Sequence, residues 1–215
     1  MQKLIATVGV LVMIFSLSQA MARDAFTLPA EPASATTSNY ISINGETRPP
    51  SGWVQFCRDF PAECVESNTA PRDAKMSKAA WAQLDAINRQ VNHDIIPITD
   101  WDHYGVEDYW TYPDDGKGDC EKYVLEKRRR LHSLGWPESA LLITVVRDTK
   151  NEGHAVLMVR TSEGDVILDN LSNDIRHWSK VPYRYVKRQS QWSPNIWVSL
   201  APHAGGSDLA TATRR

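Results

Sequence analysis

The stretch GDCEKYVLEKRRRLHSLGW, residues 118–136, constrains the chain more than any other. Val124, Leu125, Leu131 and Leu134 recur at helical spacing, and Glu126, Lys127, Arg128, Arg129 and Arg130 fill the remaining surface. This pattern predicts an amphipathic helix whose charged run is a solvated face. Gly135, Trp136 and Pro137 end it, because glycine accepts the left-handed conformation past a last turn and proline cannot continue a helix. Cys120 then falls in the first turn. A thiol there faces unpaired backbone N–H groups and the positive end of the helix dipole, and both favour thiolate. Cys120 is therefore a candidate nucleophile, with its own N–H as a candidate oxyanion donor and the Trp110 region as the source of a second.

Beyond residue 136 the apolar period changes. Residues 140–147 (ALLITVVR), 154–160 (HAVLMVR), 165–169 (DVILD), 183–188 (YRYVKR) and 195–200 (NIWVSL) are β-rich runs separated by turn signals. Upstream, Ala80, Trp81, Leu84, Ile87 and Val91 step at helical spacing behind Ser77, an N-cap, with Met76 placed to staple against Trp81. A helix over 78–92 follows, its aromatic stripe in the core. Helices first and a mostly antiparallel sheet second make an α+β fold. Residues 98–117 form a long segment dense in Trp101, His103, Tyr104, Asp108, Tyr109, Trp110 and Tyr112, expected to line a cleft beside Cys120.

The ends read differently. Lys3, the apolar run 4–17 and small residues up to Ala22 describe a secretory leader over 1–22, too short to serve as a membrane anchor. A flexible segment over 23–48, one domain over 49–200 and a frayed tail over 201–215 complete the division. Export to a periplasmic or extracellular space makes a local disulfide between Cys57 and Cys64 in FCRDFPAEC the expected pairing and leaves Cys120 alone, as a reactive thiol. A net charge of −2, with acids and bases interspersed, excludes nucleic acid as the main partner. After leader removal no segment could span a bilayer.

A thiolate nucleophile needs a proton acceptor with a fixed orientation. Of six histidines, His154 alone opens a strand directly after a glycine, and Asp169 closes the next strand in VILDN. A hairpin from one to the other could hold imidazole and carboxylate together, so that the carboxylate sets the tautomer and supports the imidazolium. Zinc at Cys120 and His154 would lack ligands once the other cysteines pair.

These motifs, Gly118-Asp119-Cys120-Glu121 leading into Tyr123-Val124-Leu125-Glu126-Lys127-Arg128, Gly153-His154-Ala155-Val156-Leu157 and Leu168-Asp169-Asn170, with FCRDFPAEC, resemble the bacterial transglutaminase-like cysteine proteinases. The family includes periplasmic proteases that clip large surface adhesins. The resemblance covers about residues 53–200. It implies a papain-like fold of the transglutaminase type, a triad of Cys120, His154 and Asp169, and a protein substrate such as a cell-surface protein. It implies no cofactor for the chemistry. In some relatives acids beside the catalytic cysteine bind calcium, and Asp119 and Glu121 occupy those positions, but Lys122 stands where a third acid is common and would weaken such a site. The residues leave three outcomes open: peptide hydrolysis, acyl transfer or amidase action on protein or cell-wall amides, and a binding module that keeps the triad unused. Substrate and oligomeric state are not encoded in these motifs.

Overall fold

In chain order the elements are β1 (Ile43–Thr47), α1 (Ser51–Asp59), α2 (Lys78–Asp94), β2 (Ile96–Pro97), α3 (Asp100–Tyr104), β3 (Lys117–Gly118), α4 (Cys120–Ser133), β4 (Leu141–Arg147), β5 (Gly153–Thr161), β6 (Gly164–Leu168), β7 (Arg176–His177), β8 (Arg184–Gln189) and β9 (Trp197–Leu200). The computed structural model describes residues 38–201; the expected leader, the segment 23–37 and the tail beyond Ala201 lie outside the described residues.

Seven strands form one antiparallel sheet in the order β1-β9-β8-β4-β5-β6-β7, while β2 and β3 make a separate parallel pair. The fold is α+β, as the switch of period implies. β4 and β5 are apolar on both faces because both faces are covered. On one face Leu141, Ile143, Ala155, Leu157 and Val159 pack with Val124, Leu125 and Leu131 of α4 and with Leu84, Ile87 and Val91 of α2. On the other, Leu142, Val146, Val156, Met158 and Ile167 close over Ile41, Trp178, Tyr185 and Leu200.

The α2 helix begins as expected, with the Ser77 hydroxyl accepting from Ala80 N–H at 3.1 Å, and runs two residues further than the pattern suggests. Cys57 and Cys64 are joined by a disulfide, Cα atoms 5.6 Å apart, which ties the second half of α1 to a 3-10 turn at Pro61–Cys64.

Four expectations are corrected. The segment 23–48 is not flexible throughout: Ile43–Thr47 pairs with β9 and extends the sheet. Its INGET sequence hid it, because an exposed edge strand carries no buried alternation. The α4 charges do not form a solvated face, since Lys122, Glu126, Lys127 and Arg128 are all buried. With the sheet on one side and α2 on another, most of these charges meet protein partners instead of water, Lys127 excepted. Arg128 pairs with Glu63 and Glu138, and Arg129 and Arg130 both reach Glu126 at 2.6 Å. Leu134, assigned to the apolar face, is half exposed. Finally, the aromatic segment 98–117 is not one irregular cleft wall. It contains α3, and its Trp110 and Tyr112 belong to the core.

Candidate active site

Cys120 is the first residue of α4, preceded by Asp119 as N-cap. The β2–β3 pairing fixes the approach, with Gly118 opposite Pro97. The helix ends as the sequence implies, Gly135 taking φ +87° while Trp136 N–H returns to Leu131 carbonyl at 3.1 Å. α4 lies across β5, and this contact sets the site. The backbone N–H of Ala155 faces the half-buried Cys120 sulfur, so His154 enters the sheet beside the thiol.

His154 and Asp169 are brought together as expected. His154 Nε2 and Asp169 Oδ1 lie 2.9 Å apart, both side chains nearly enclosed. The strand pairing makes this possible: Leu157 faces Leu168 across β5 and β6, so the chain ends carrying His154 and Asp169 meet at one edge. Leu171 N–H also donates to Asp169 Oδ1 at 3.0 Å, and Tyr183 hydroxyl donates to Oδ2 at 2.6 Å. Burial works to raise the Asp169 carboxyl, but the hydrogen bonds from His154, Tyr183 and Leu171 outweigh it and hold the group below the ordinary carboxylate range. Asn92 Nδ2 donates to the Asp169 carbonyl at 2.9 Å and links α2 to the same turn. Tyr183 does not stand out in the sequence, where it only opens a strand run.

The thiol is not the preformed thiolate that a bare helix N-terminus would give. Burial, then the charges of Glu121 and Asp119 and a hydrogen bond to Glu121, push the Cys120 thiol well up, against the Ala155 N–H. Cys120 Sγ donates to Glu121 Oε2 at 3.1 Å. Burial and the neighbouring Asp119 push Glu121 itself up. The proton of Cys120 therefore has to be removed during the reaction, and a positioned base is needed.

Trp110 is not available as an oxyanion donor. Its backbone N–H donates to Gln55 Oε1 at 3.0 Å and its indole N–H to Asp108 Oδ1 at 2.7 Å, while its ring packs edge-on against Trp53. Asp119 and Glu121 do flank the cysteine, but they do not fit a calcium ion. Asp119 Oδ1 accepts from Lys122 Nζ at 3.0 Å, and among the described residues no group of three or more acids, histidines or cysteines is disposed to hold a metal.

Against known families, the model of the bacterial transglutaminase-like cysteine proteinases (BTLCP) matches residues 43–204. The chain belongs to this family. Its members' model thus covers the whole sheet, β1 included, and every residue of the site above. Among solved structures, Legionella pneumophila LapG in its calcium-bound form is 27% identical, with 59% of this chain and 74% of that chain covered and a TM-score of 0.49. A second LapG structure is 31% identical over 55% and 67% of the two chains, with a TM-score of 0.48. An EGTA-treated LapG is 28% identical over 57% and 72%, again with a TM-score of 0.48. A comparison with curated proteins gives no significant match.

Proposed function

We propose that this proteinase-family member is an exported cysteine endopeptidase that cleaves peptide bonds in surface proteins of the adhesin type. The observation that carries the reading is the His154–Asp169 pair, buried and hydrogen-bonded at 2.9 Å, at the strand end that abuts the Cys120 helix terminus. Export is supported by the leader-like residues 1–22 and by the Cys57–Cys64 disulfide, a bond that persists in oxidising compartments.

With Nε2 engaged by Asp169, Nδ1 is the basic nitrogen of His154. It takes the Cys120 proton as the sulfur attacks the peptide carbonyl. The C–S bond forms, the carbonyl π pair moves to oxygen, and the Cys120 N–H at the helix start stabilises that oxygen. The imidazolium then protonates the departing amine, leaving a thioester. A water molecule, deprotonated by His154, attacks the thioester and releases the acid and the thiol. Asp169 stays ionised throughout and holds the imidazolium, as its lowered proton affinity permits.

The test combines two measurements. Cys120→Ser is expected to abolish proteolysis of a surface-protein substrate while leaving thermal unfolding nearly unchanged; retained cleavage would sink the assignment. The pH profile of Cys120 alkylation, compared with His154→Ala, reports whether imidazole is the proton acceptor, and an unchanged profile removes His154 from that role.

A further inference from the structure

A lysine is an unusual group to find fully buried beside a nucleophile, and Lys122 is both buried and completely satisfied. Its ammonium is hydrogen-bonded to Asp100 Oδ1, to the Tyr109 carbonyl at 2.6 Å and to Asp119 Oδ1 at 3.0 Å. Three N–H donors meet three oxygens, which is the full capacity of an ammonium group and about half the oxygen count a calcium ion takes. The Tyr104 ring covers a further side, its centroid 5.6 Å from Nζ. The stem is equally fitted. A Cβ on Gly118 would lie 2.6 to 2.8 Å from Lys122 Cβ, Cγ and Cδ, so the glycine before the cysteine leaves room for this side chain. The other Asp100 oxygen accepts from Tyr109 N–H at 2.6 Å, which closes the cluster onto the segment between α3 and β3.

Asp119 shows what the cluster does. Although it is the N-cap residue of α4, its side chain makes no capping bond to the helix backbone. Its carboxylate turns instead to Lys122, three residues on in the first turn of α4. The residue immediately before Cys120 is thereby anchored by an ammonium that also grips α3 and the Tyr109 backbone. From this we infer that Lys122 is a positioning residue whose ammonium serves as the built-in cation of the cysteine helix terminus, so that Cys120 is held in its reactive place without a divalent metal. The disagreement with a calcium requirement follows from the same oxygens: a metal ion there would have to displace a lysine wedged between Gly118 and two aspartates.

The inference rests on Cys120 being the nucleophile, but its test does not depend on peptide cleavage. Cys120 alkylation rate and thermal midpoint are measured on the exported chain in EGTA and in millimolar calcium, with terbium luminescence as a direct probe of metal binding. The unaltered protein is expected to give the same rate and midpoint in both buffers and to bind no terbium. A rate that collapses in EGTA and returns with calcium overturns the inference, whether or not a protein substrate is ever cleaved. Lys122→Met keeps the stem and removes the ammonium, and its alkylation rate is expected to fall by about tenfold or more, as when an orienting partner is lost. Lys122→Asp is expected to become calcium-dependent in rate and midpoint, a response that a merely space-filling lysine would not produce. A Lys122→Met chain that folds and alkylates at the original rate also overturns the inference, and the comparison on the unaltered protein decides the matter if neither variant folds.

Discussion

Tyr183 hydroxyl donates to Asp169 Oδ2 at 2.6 Å, on the carboxylate oxygen that His154 leaves free. The same ring stands edge-on to the His154 imidazole, centroids 5.6 Å apart, so one residue restrains both members of the pair. Tyr183 lies just before β8, two strands away from β5 in the sheet, and brings the far side of the sheet to bear on the site.

Tyr183→Phe should therefore weaken the Asp169 carboxylate, the proposed third member of the triad, without dismantling it. We expect kcat to drop by roughly tenfold with KM little changed, and stability to fall by about 1 kcal/mol at neutral pH. The acid limb of the kcat/KM profile should move to higher pH, because a carboxyl that loses a donor to its ionised form is protonated sooner. The sign for stability follows the same linkage. Asp169 is held below its unfolded value, so its contribution is present above the unfolded pKa and disappears as pH falls through the folded one. The urea midpoints of the two proteins should differ at pH 7 and converge in acid; midpoints that differ equally at both would mean that the hydroxyl acts through packing.

Gly52 is closed to any side chain. A Cβ there would lie 2.1 Å from Trp110 Cδ1 and 2.2 Å from Nε1, and Trp110 cannot retreat because Trp53 packs against it and Asp108 holds its indole N–H. Gly52→Ala is expected to cost about 1–3 kcal/mol through overpacking. Gly153→Ala, which meets only Arg147 Nη1 at 3.8 Å, should stay within about 0.5 kcal/mol. Differential scanning calorimetry of the two variants separates the cases, and equal melting points would contradict the packing argument.

The helix carrying Cys120, the strand carrying His154 and the strand that ends just before Asp169 are legible because local pattern reports them: period 3.6, then β-rich runs, with glycine at the breaks. What pattern cannot report is which charged residues a helix will bury. Glu126, Lys127 and Arg128 read as solvent-facing, since sequence periodicity sees one apolar stripe and not the further layers that pack around α4. Tyr183 is invisible for a related reason, as its partner lies fourteen residues away across β7 and a 3-10 turn. Trp110 reads as a cleft residue because the short helix α1, whose Trp53 packs edge-on against it, lies in a stretch that reads as loop. The thiol's own protonation was misjudged because the helix terminus was weighed without the acids that burial brings against it.

The disulfide gives a prediction independent of the catalytic reading. Cys57 and Cys64 enclose a short loop, sequence separation 7, and both pack against the main core. Replacing both with serine should lower stability by about 2.5 kcal/mol from loop-closure entropy. Urea unfolding measured by tryptophan fluorescence should show a lower midpoint with little change in slope, and the alkylation rate of Cys120 should be unaffected. A loss of that rate would place the loop in the site.

Lys127 provides the sharpest test of how much charge α4 buries. Its ammonium is fully enclosed and has no hydrogen-bond partner among the described residues. Burial pushes its pKa down to about 7, with the Asp169 charge opposing. Between about pH 7 and the ordinary lysine value near 10.4, the unfolded chain binds a proton that the folded chain does not, so stability attributable to this group rises with pH across that window. Below it both states are protonated and the folded state bears the whole cost of a buried cation. Lys127→Met, which keeps the length and removes the charge, is therefore expected to stabilise the protein by a few kcal/mol at pH 6 and by progressively less toward pH 9. Urea midpoints for the two proteins at pH 6, 7.5 and 9 measure the difference. A gain that does not shrink with pH would show that the amine stays protonated in the fold across the whole range, so that burial does not depress its pKa.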